Sequence, residues 1–96
     1  MKLICDGLNI DYDKVVEYST YDERLGKSHW AVPGPDGKLG FGGSCFPKDL
    51  NALIAYAENL SLDPVVLKSV WSKNLFVRKE ANRDWNNMIG RAVNYE

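Results

Sequence analysis

At 96 residues the chain has room for one small domain, and not for a cofactor domain together with a substrate domain. Hydrophobic residues at 45% and charged residues at 26% are ordinary globular values, which excludes collagen-like, low-complexity and disordered classes. A net charge of −1 with no stripe of lysine or arginine argues against a nucleic-acid partner.

In chain order, the opening "MKLICDGLNI" is apolar in patches but broken by Asp6 and Gly7, too short for a secretory leader or a membrane span. No membrane association is expected, and a soluble, cytoplasmic protein is. Cys5 and Cys45 lie far apart without paired spacing, which favours reduced thiols over a disulfide framework. Asp11 is placed to cap a short helix carrying Val15, Val16 and Tyr18, with "CDGLN" as the exit of a preceding turn. From Tyr21 to Ser44 no helical or alternating pattern persists, and most of the glycines fall there. A loop of that length in a small domain is functional or disordered as a rule, and mobility is expected.

Pro47 is read as the first residue of the next helix, with Asp49 complementing the positive end of its dipole. Leu50, Leu53, Ile54, Ala57 and Leu60 give that helix one apolar stripe, ending near "NLSLD". Asp63 and Pro64 repeat the start signal, and no further breaker appears before Gly90, so one long final helix is predicted over 64–89. Leu67, Val70, Val77, Ala81 and Met88 trace one face of it, and Trp71, Phe76 and Trp85 add apolar bulk. A domain this small cannot easily cover so wide a surface, so a homodimer through helix 64–89 is expected. Asn74 interrupts the face, either fixing the register of the pairing or facing solvent. The fold class is all-α: a small helical domain with one long C-terminal helix forming a dimer interface, and a long Gly-rich loop.

Within "GFGGSCFPKD", Gly40 to Asp49, Cys45 stands just ahead of the helix that Pro47 opens. Unpaired N–H groups and the macrodipole at a helix start favour the thiolate, Lys48 adds a positive charge nearby, and a thiolate is a nucleophile. Gly40, Gly42 and Gly43 let main chain pass close to a ligand. A small buried residue beside a glycine turn remains the other reading of Cys45. The glycines lack the spacing of a dinucleotide-binding turn, "GPDGK" lacks that of a phosphate-cradling loop, and His29 with the two cysteines makes no metal-ligand spacing. A cysteine–histidine hydrolase pair with His29 as base is a further, weaker alternative.

The stretch "GFGGSCFPKD", with "DERLGKSHWAVPGPDGKLG" ahead of it and "LNALIAYAENL" after it, resembles the catalytic-cysteine region of the UDP-glucose/GDP-mannose dehydrogenase family, in its UDP-glucose 6-dehydrogenase branch. The resemblance covers nearly the whole chain and implies that residues 1–96 are a single domain corresponding to the family's helical central domain. It implies oxidation of a UDP-glucose C6 alcohol to the carboxylate in two hydride transfers to NAD, through a thiohemiacetal and a thioester on Cys45. It further implies that Asp49 activates water and moves protons, that Lys48 lies near the cofactor, and that Arg24 reaches the sugar from a neighbouring subunit. Phe41 and Gly42 would line the sugar pocket with main chain. The family's NAD-binding domain, expected ahead of Met1, and its C-terminal nucleotide-binding domain have no counterpart here. The chain alone is therefore expected neither to bind NAD nor to turn over, unless the missing dehydrogenase domains act in trans. The alternative is a non-catalytic helical dimerisation or interaction module derived from the same family.

Overall fold

A computed structural model of the chain describes residues 1–86 and 93. The elements are helical, as expected of an all-α chain: α1 over Lys2–Gly7, α2 over Tyr12–Ser19, α3 over Cys45–Asn59, α4 over Val65–Val77, and a 3-10 turn over Glu80–Asn82. The chain falls into two compact units, Met1–Val32 and Pro33–Glu96.

In the first unit each helix is finished by local chemistry. Lys2 and Asp6, one turn apart on α1, pair at 2.9 Å. After Gly7 the chain reverses through Asn9 at φ 56°, with Ile10 N–H donating to the Cys5 carbonyl at 2.8 Å and Asn9 N–H to Asp6 at 3.2 Å. That is the Schellman pattern, with asparagine in the left-handed position that glycine usually takes. Asp11 caps α2 as expected, its carboxylate accepting from Asp13 N–H at 3.0 Å. Farther along, the Tyr12 hydroxyl donates to the Trp30 carbonyl at 2.5 Å, and Trp30 Nε1 donates to Gly26 at 2.7 Å.

The second unit begins with a "GPDG" turn, in which Gly37 takes φ 76° and Asp36 Oδ1 accepts from Lys38 N–H at 3.0 Å. Helix α3 turns Pro47, Leu50 and Asn51 fully inward, with Ile54 and Ala57 half-buried on the same side. Leu53 and Leu60 of the expected stripe stand exposed. The helix ends where the sequence suggested, again by a Schellman closure: Ser61 at φ 59°, Leu62 N–H to the Ala57 carbonyl at 3.0 Å and Ser61 N–H to Glu58 at 2.9 Å. Its core is Leu50, Trp71, Trp85 and Val93, with Phe41, Ile54, Leu67 and Leu75 packed against it. Trp71 and Trp85 meet at 5.1 Å between ring centroids.

Two helix expectations are corrected. Helix α3 starts at Cys45, with Ser44 as its N-cap, so Pro47 is its third residue and not its first. Proline is tolerated there because the first four N–H groups of a helix have no intrahelical acceptor in any case. Asp49 consequently lies beyond the first turn.

The final helix does not run over 64–89. Pro64 is the N-cap of α4, without a side-chain cap from Asp63, and the helix stops at Val77. Arg78 leaves helical geometry at φ −92°, ψ 100°. No glycine or proline ends it; side chains do. Arg83 bends back to donate from Nη2 to the Leu75 carbonyl at 2.7 Å and from Nε to the Arg78 carbonyl at 3.1 Å, satisfying groups that another turn of helix would have bonded. Met88 and residues 87–89 lie outside the described residues. The inward face of α4 is Leu67, Trp71, Asn74 and Leu75, while Val65, Val66, Val70 and Phe76 are exposed. Among the described residues no helix is long and apolar enough to cross a membrane.

Candidate active site

Cys45 is exposed and occupies the first position of the 15-residue α3. The reading of it as a small buried packing residue is therefore set aside; Cys5, which is buried, fits that description. The sulfur lies 3.9 Å from Ser44 Oγ. Its residue belongs to the end of the helix where the backbone N–H groups lack carbonyl partners and the dipole is positive.

The glycine-rich approach to Cys45 is fixed at several points by α4 and the turn after it. Asn74, 2% exposed, accepts from Phe41 N–H at 2.7 Å and donates from Nδ2 to the Phe41 carbonyl at 2.9 Å. It thus pairs with a loop of its own chain, neither in solvent nor available as a register residue between copies. Gly40 lies directly over it at φ 69°, where a Cβ would collide with the Asn74 amide.

Arg78, 1% exposed, sits against Gly42 so closely that a Cβ there would collide with the guanidinium. Its Nε donates to the Leu39 carbonyl at 3.2 Å, its Nη1 to Asp84 at 3.4 Å, and its Nη2 to Asp36. Asp84 in turn accepts from Gly43 N–H at 3.1 Å and pairs with Lys38 at 3.6 Å. Burial would raise the Asp84 carboxyl, but the Gly43 N–H bond and the Lys38 and Arg78 charges outweigh it and hold the group below its ordinary range. Phe41 is half-buried, edge-on to Phe46 at 4.8 Å and 6.1 Å from Trp71.

Of the residues singled out from sequence, Phe41, Gly42, Cys45, Lys48 and Asp49 follow one another from this loop into α3. Lys48 and Asp49 are exposed and pair with each other at 3.4 Å. Arg24 belongs to the first unit. Its guanidinium is exposed and grips Asp22 through Nη2 at 2.7 Å, a hydrogen bond that lowers the Asp22 carboxyl and raises the arginine. His29, at φ 69°, is exposed in the same unit.

Asn74, Arg78, Asp84 and Asp36 were not identified as loop anchors from sequence. A lone asparagine in the apolar run "VWSKNLFV" is the only trace of a buried polar contact. Among the described residues no group of three or more His, Cys, Asp or Glu side chains is placed to hold a metal ion. The loop also does not fit a dinucleotide: no strand leads into it among the described residues, and its Phe41 and Gly43 N–H groups are already bonded to Asn74 and Asp84.

The second unit thus carries an exposed cysteine at a helix start, approached through a glycine loop pinned by Asn74 and Asp84. Residues 1–75 match the UDP-glucose/GDP-mannose dehydrogenase family, central domain, and the chain belongs to that family. It is similar to the UDP-glucose 6-dehydrogenase YwqF of Bacillus subtilis, 39% identical over 85 residues, which covers 83% of this chain and 18% of that protein. It is also similar to a UDP-glucose 6-dehydrogenase of Pseudomonas aeruginosa, 37% identical over 71 residues, or 74% of this chain and 15% of that protein. AglM of Haloferax volcanii, another UDP-glucose 6-dehydrogenase, is 35% identical over the same share of each. The chain thus spans less than a fifth of the length of these relatives. No solved structure matches it.

Proposed function

We propose that the chain is the central, cysteine-bearing domain of a nucleotide-sugar 6-dehydrogenase acting on UDP-glucose or a close relative, and that Cys45 is its nucleophile. The observation that carries this is the exposed Cys45 at the first position of α3, at the end of a loop held by Asn74 and Asp84. In that role Cys45 Sγ adds as the thiolate to the C6 aldehyde carbon of the half-oxidised sugar. The carbonyl π pair moves to oxygen, which takes a proton, and a thiohemiacetal results. Covalent capture retains a reactive aldehyde between two oxidations.

NAD, held by another domain, supplies the hydride acceptor; the residues of this chain supply the sulfur and its surroundings. Asp49, exposed on α3 beyond Cys45 and paired with Lys48, is assigned to proton transfer and water activation in the final hydrolysis, and Lys48 to the neighbourhood of the cofactor. Phe41 and Gly42 are assigned to the sugar pocket. Arg24 is assigned to the sugar of a neighbouring subunit, a role its exposed guanidinium suits once Asp22 releases it.

Partnering is part of the proposal. Val65, Val66, Val70 and Phe76 stand exposed on the outer side of α4, interleaved with Ser69 and Lys73, and these apolar side chains support a homodimer through this helix, now bounded at Val77. The same face also favours a second reading, a non-catalytic dimerisation module. The two separate in one experiment: the chain is mixed with the cofactor and nucleotide-binding domains of a relative, and NAD reduction with UDP-glucose is followed. Turnover is expected, and Cys45→Ser should lower UDP-glucuronate formation by about 10³-fold or more. Dimerisation and domain association without turnover would leave the module reading; turnover unaffected by Cys45→Ser would remove the cysteine from the chemistry.

A further inference from the structure

We propose that Asn74, Arg78 and Asp84 are positioning residues for Cys45: together they hold Gly40–Gly43 in one conformation and thereby set the first turn of α3, which carries the sulfur. The proposal rests on Cys45 being the nucleophile, and it adds three residues that act on the sulfur through the loop they bond.

Two independent fixings converge on four consecutive residues. Asn74 closes a two-bond pair with the Phe41 backbone, N–H at 2.7 Å and C=O at 2.9 Å, which only an amide side chain offers: a carboxylate cannot donate, and an apolar residue does neither. Arg78 fixes the other side by a different logic. A guanidinium that is 1% exposed is costly unless its charge is neutralised and its donors are filled. Its partners are Asp36 and the Leu39 carbonyl from the loop, and Asp84 and the Asn82 carbonyl from the turn after α4.

Displacing the loop therefore removes both the Asp36 carboxylate and the Leu39 carbonyl from a buried charge. Asp84 carries the second fixing on to Gly43, since the carboxylate that neutralises Arg78 also accepts from Gly43 N–H, two residues ahead of Cys45. Gly42 allows the close approach, because any Cβ would occupy the space of the guanidinium. A cysteine at a helix start gains from that start only while the first turn is formed, and a nucleophile misplaced by an ångström loses rate steeply. The termination of α4 at Val77 has the same explanation: Arg78 reaches the loop from an extended backbone.

The test is the alkylation rate of Cys45 by iodoacetamide near neutral pH in the full chain, read by peptide mass spectrometry so that Cys5 is scored separately. An unstructured peptide of sequence GFGGSCFPKDLN, residues 40–51, is the reference. The native chain is expected to react several-fold faster than the peptide. Asn74→Leu and Asp84→Ala are expected to bring the rate down to the peptide's while far-UV circular dichroism keeps its helical signal, and Asn74→Asp, which retains only the acceptor, should fall between.

Asp84, whose side chain is 34% exposed, can be truncated without opening the core, so its variant remains informative if Asn74→Leu fails to fold. Leu67→Ala, which weakens the same core outside the clamp, should leave the rate unchanged; an equal fall there would reduce the three residues to ordinary structural ones and overturn the proposal. A fast native rate that persists in Asn74→Leu and Asp84→Ala overturns the positioning proposal alone. A native rate no faster than the peptide's overturns it together with the assignment of Cys45 as an activated nucleophile.

Discussion

The two units of the chain are held by contacts of different reach. In Met1–Val32, the Lys2–Asp6 pair, the Asp11 cap and the Arg24–Asp22 grip all join residues within about a turn, and Tyr12 to Trp30 spans 18 positions. In Pro33–Glu96 the bonds that define the cysteine loop join residues 33 to 42 positions apart. Closing such long loops has an entropic cost that local contacts avoid, and it is met only when a core and a polar clamp form together. The difference separates two kinds of candidate residue: Cys45 follows a segment built by tertiary structure, whereas Arg24 is exposed and paired with its near neighbour Asp22.

The sharpest way to break this contrast is through the core of the second unit. Trp71→Ala should cost about 3–5 kcal/mol, because a buried indole packed on Trp85 and Phe41 leaves a cavity that helices cannot close. Amide exchange at Phe41 and Gly43 should then rise to that of an open loop, while Ile10 and Thr20, bonded within the first unit, keep their protection. Loss of protection at Ile10 in the same variant would show that the units do not fold independently. A smaller effect is expected from Tyr12→Phe, which removes one hydroxyl donated to Trp30 and should cost about 1 kcal/mol, with faster exchange confined to the first unit.

How much of this was legible in the sequence follows the same division. The Asp11 cap and the end of α3 near Leu60 were read correctly, because each depends on residues within a few positions, whereas the start of α4 was placed one residue early, Pro64 and not Asp63 being its N-cap. The "GFGGSCFPKD" stretch announced a cysteine at a helix start, although the helix begins two residues ahead of Pro47: three residues can precede the first intrahelical donor, and Ser44 caps without a side-chain bond. What failed was the extent of the last helix and the duty of Asn74. Continuity was inferred from the absence of glycine and proline, yet α4 is ended by Arg83 filling its last carbonyls and by Arg78 turning toward a loop almost 40 residues earlier, at Leu39. No periodicity encodes a partner at that separation. The exposed leucines Leu53 and Leu60 mark the same limit, since a stripe of apolar residues tells which face is apolar and not how much of it this chain covers.

The smallest effect sharpens the comparison most finely, because it acts on one bond of the clamp. Asp84 has its carboxyl held below the ordinary value of 3.8 in the folded chain, through the Gly43 N–H and the charges of Lys38 and Arg78. A carboxylate with a depressed folded pKa contributes stability that is fully present above its unfolded value and is lost as pH falls through the folded one. The Gly43 amide resonance should therefore titrate with a midpoint below the ordinary carboxylate value of 3.8, with Phe41 following weakly through the shared loop. In Asp84→Asn that titration should vanish, while amides of the first unit titrate as before with their own carboxylates. A Gly43 midpoint at or above 3.8 would mean that the Asp84 bond is not formed in solution, and the clamp would then hold the cysteine loop through Asn74 and Arg78 alone.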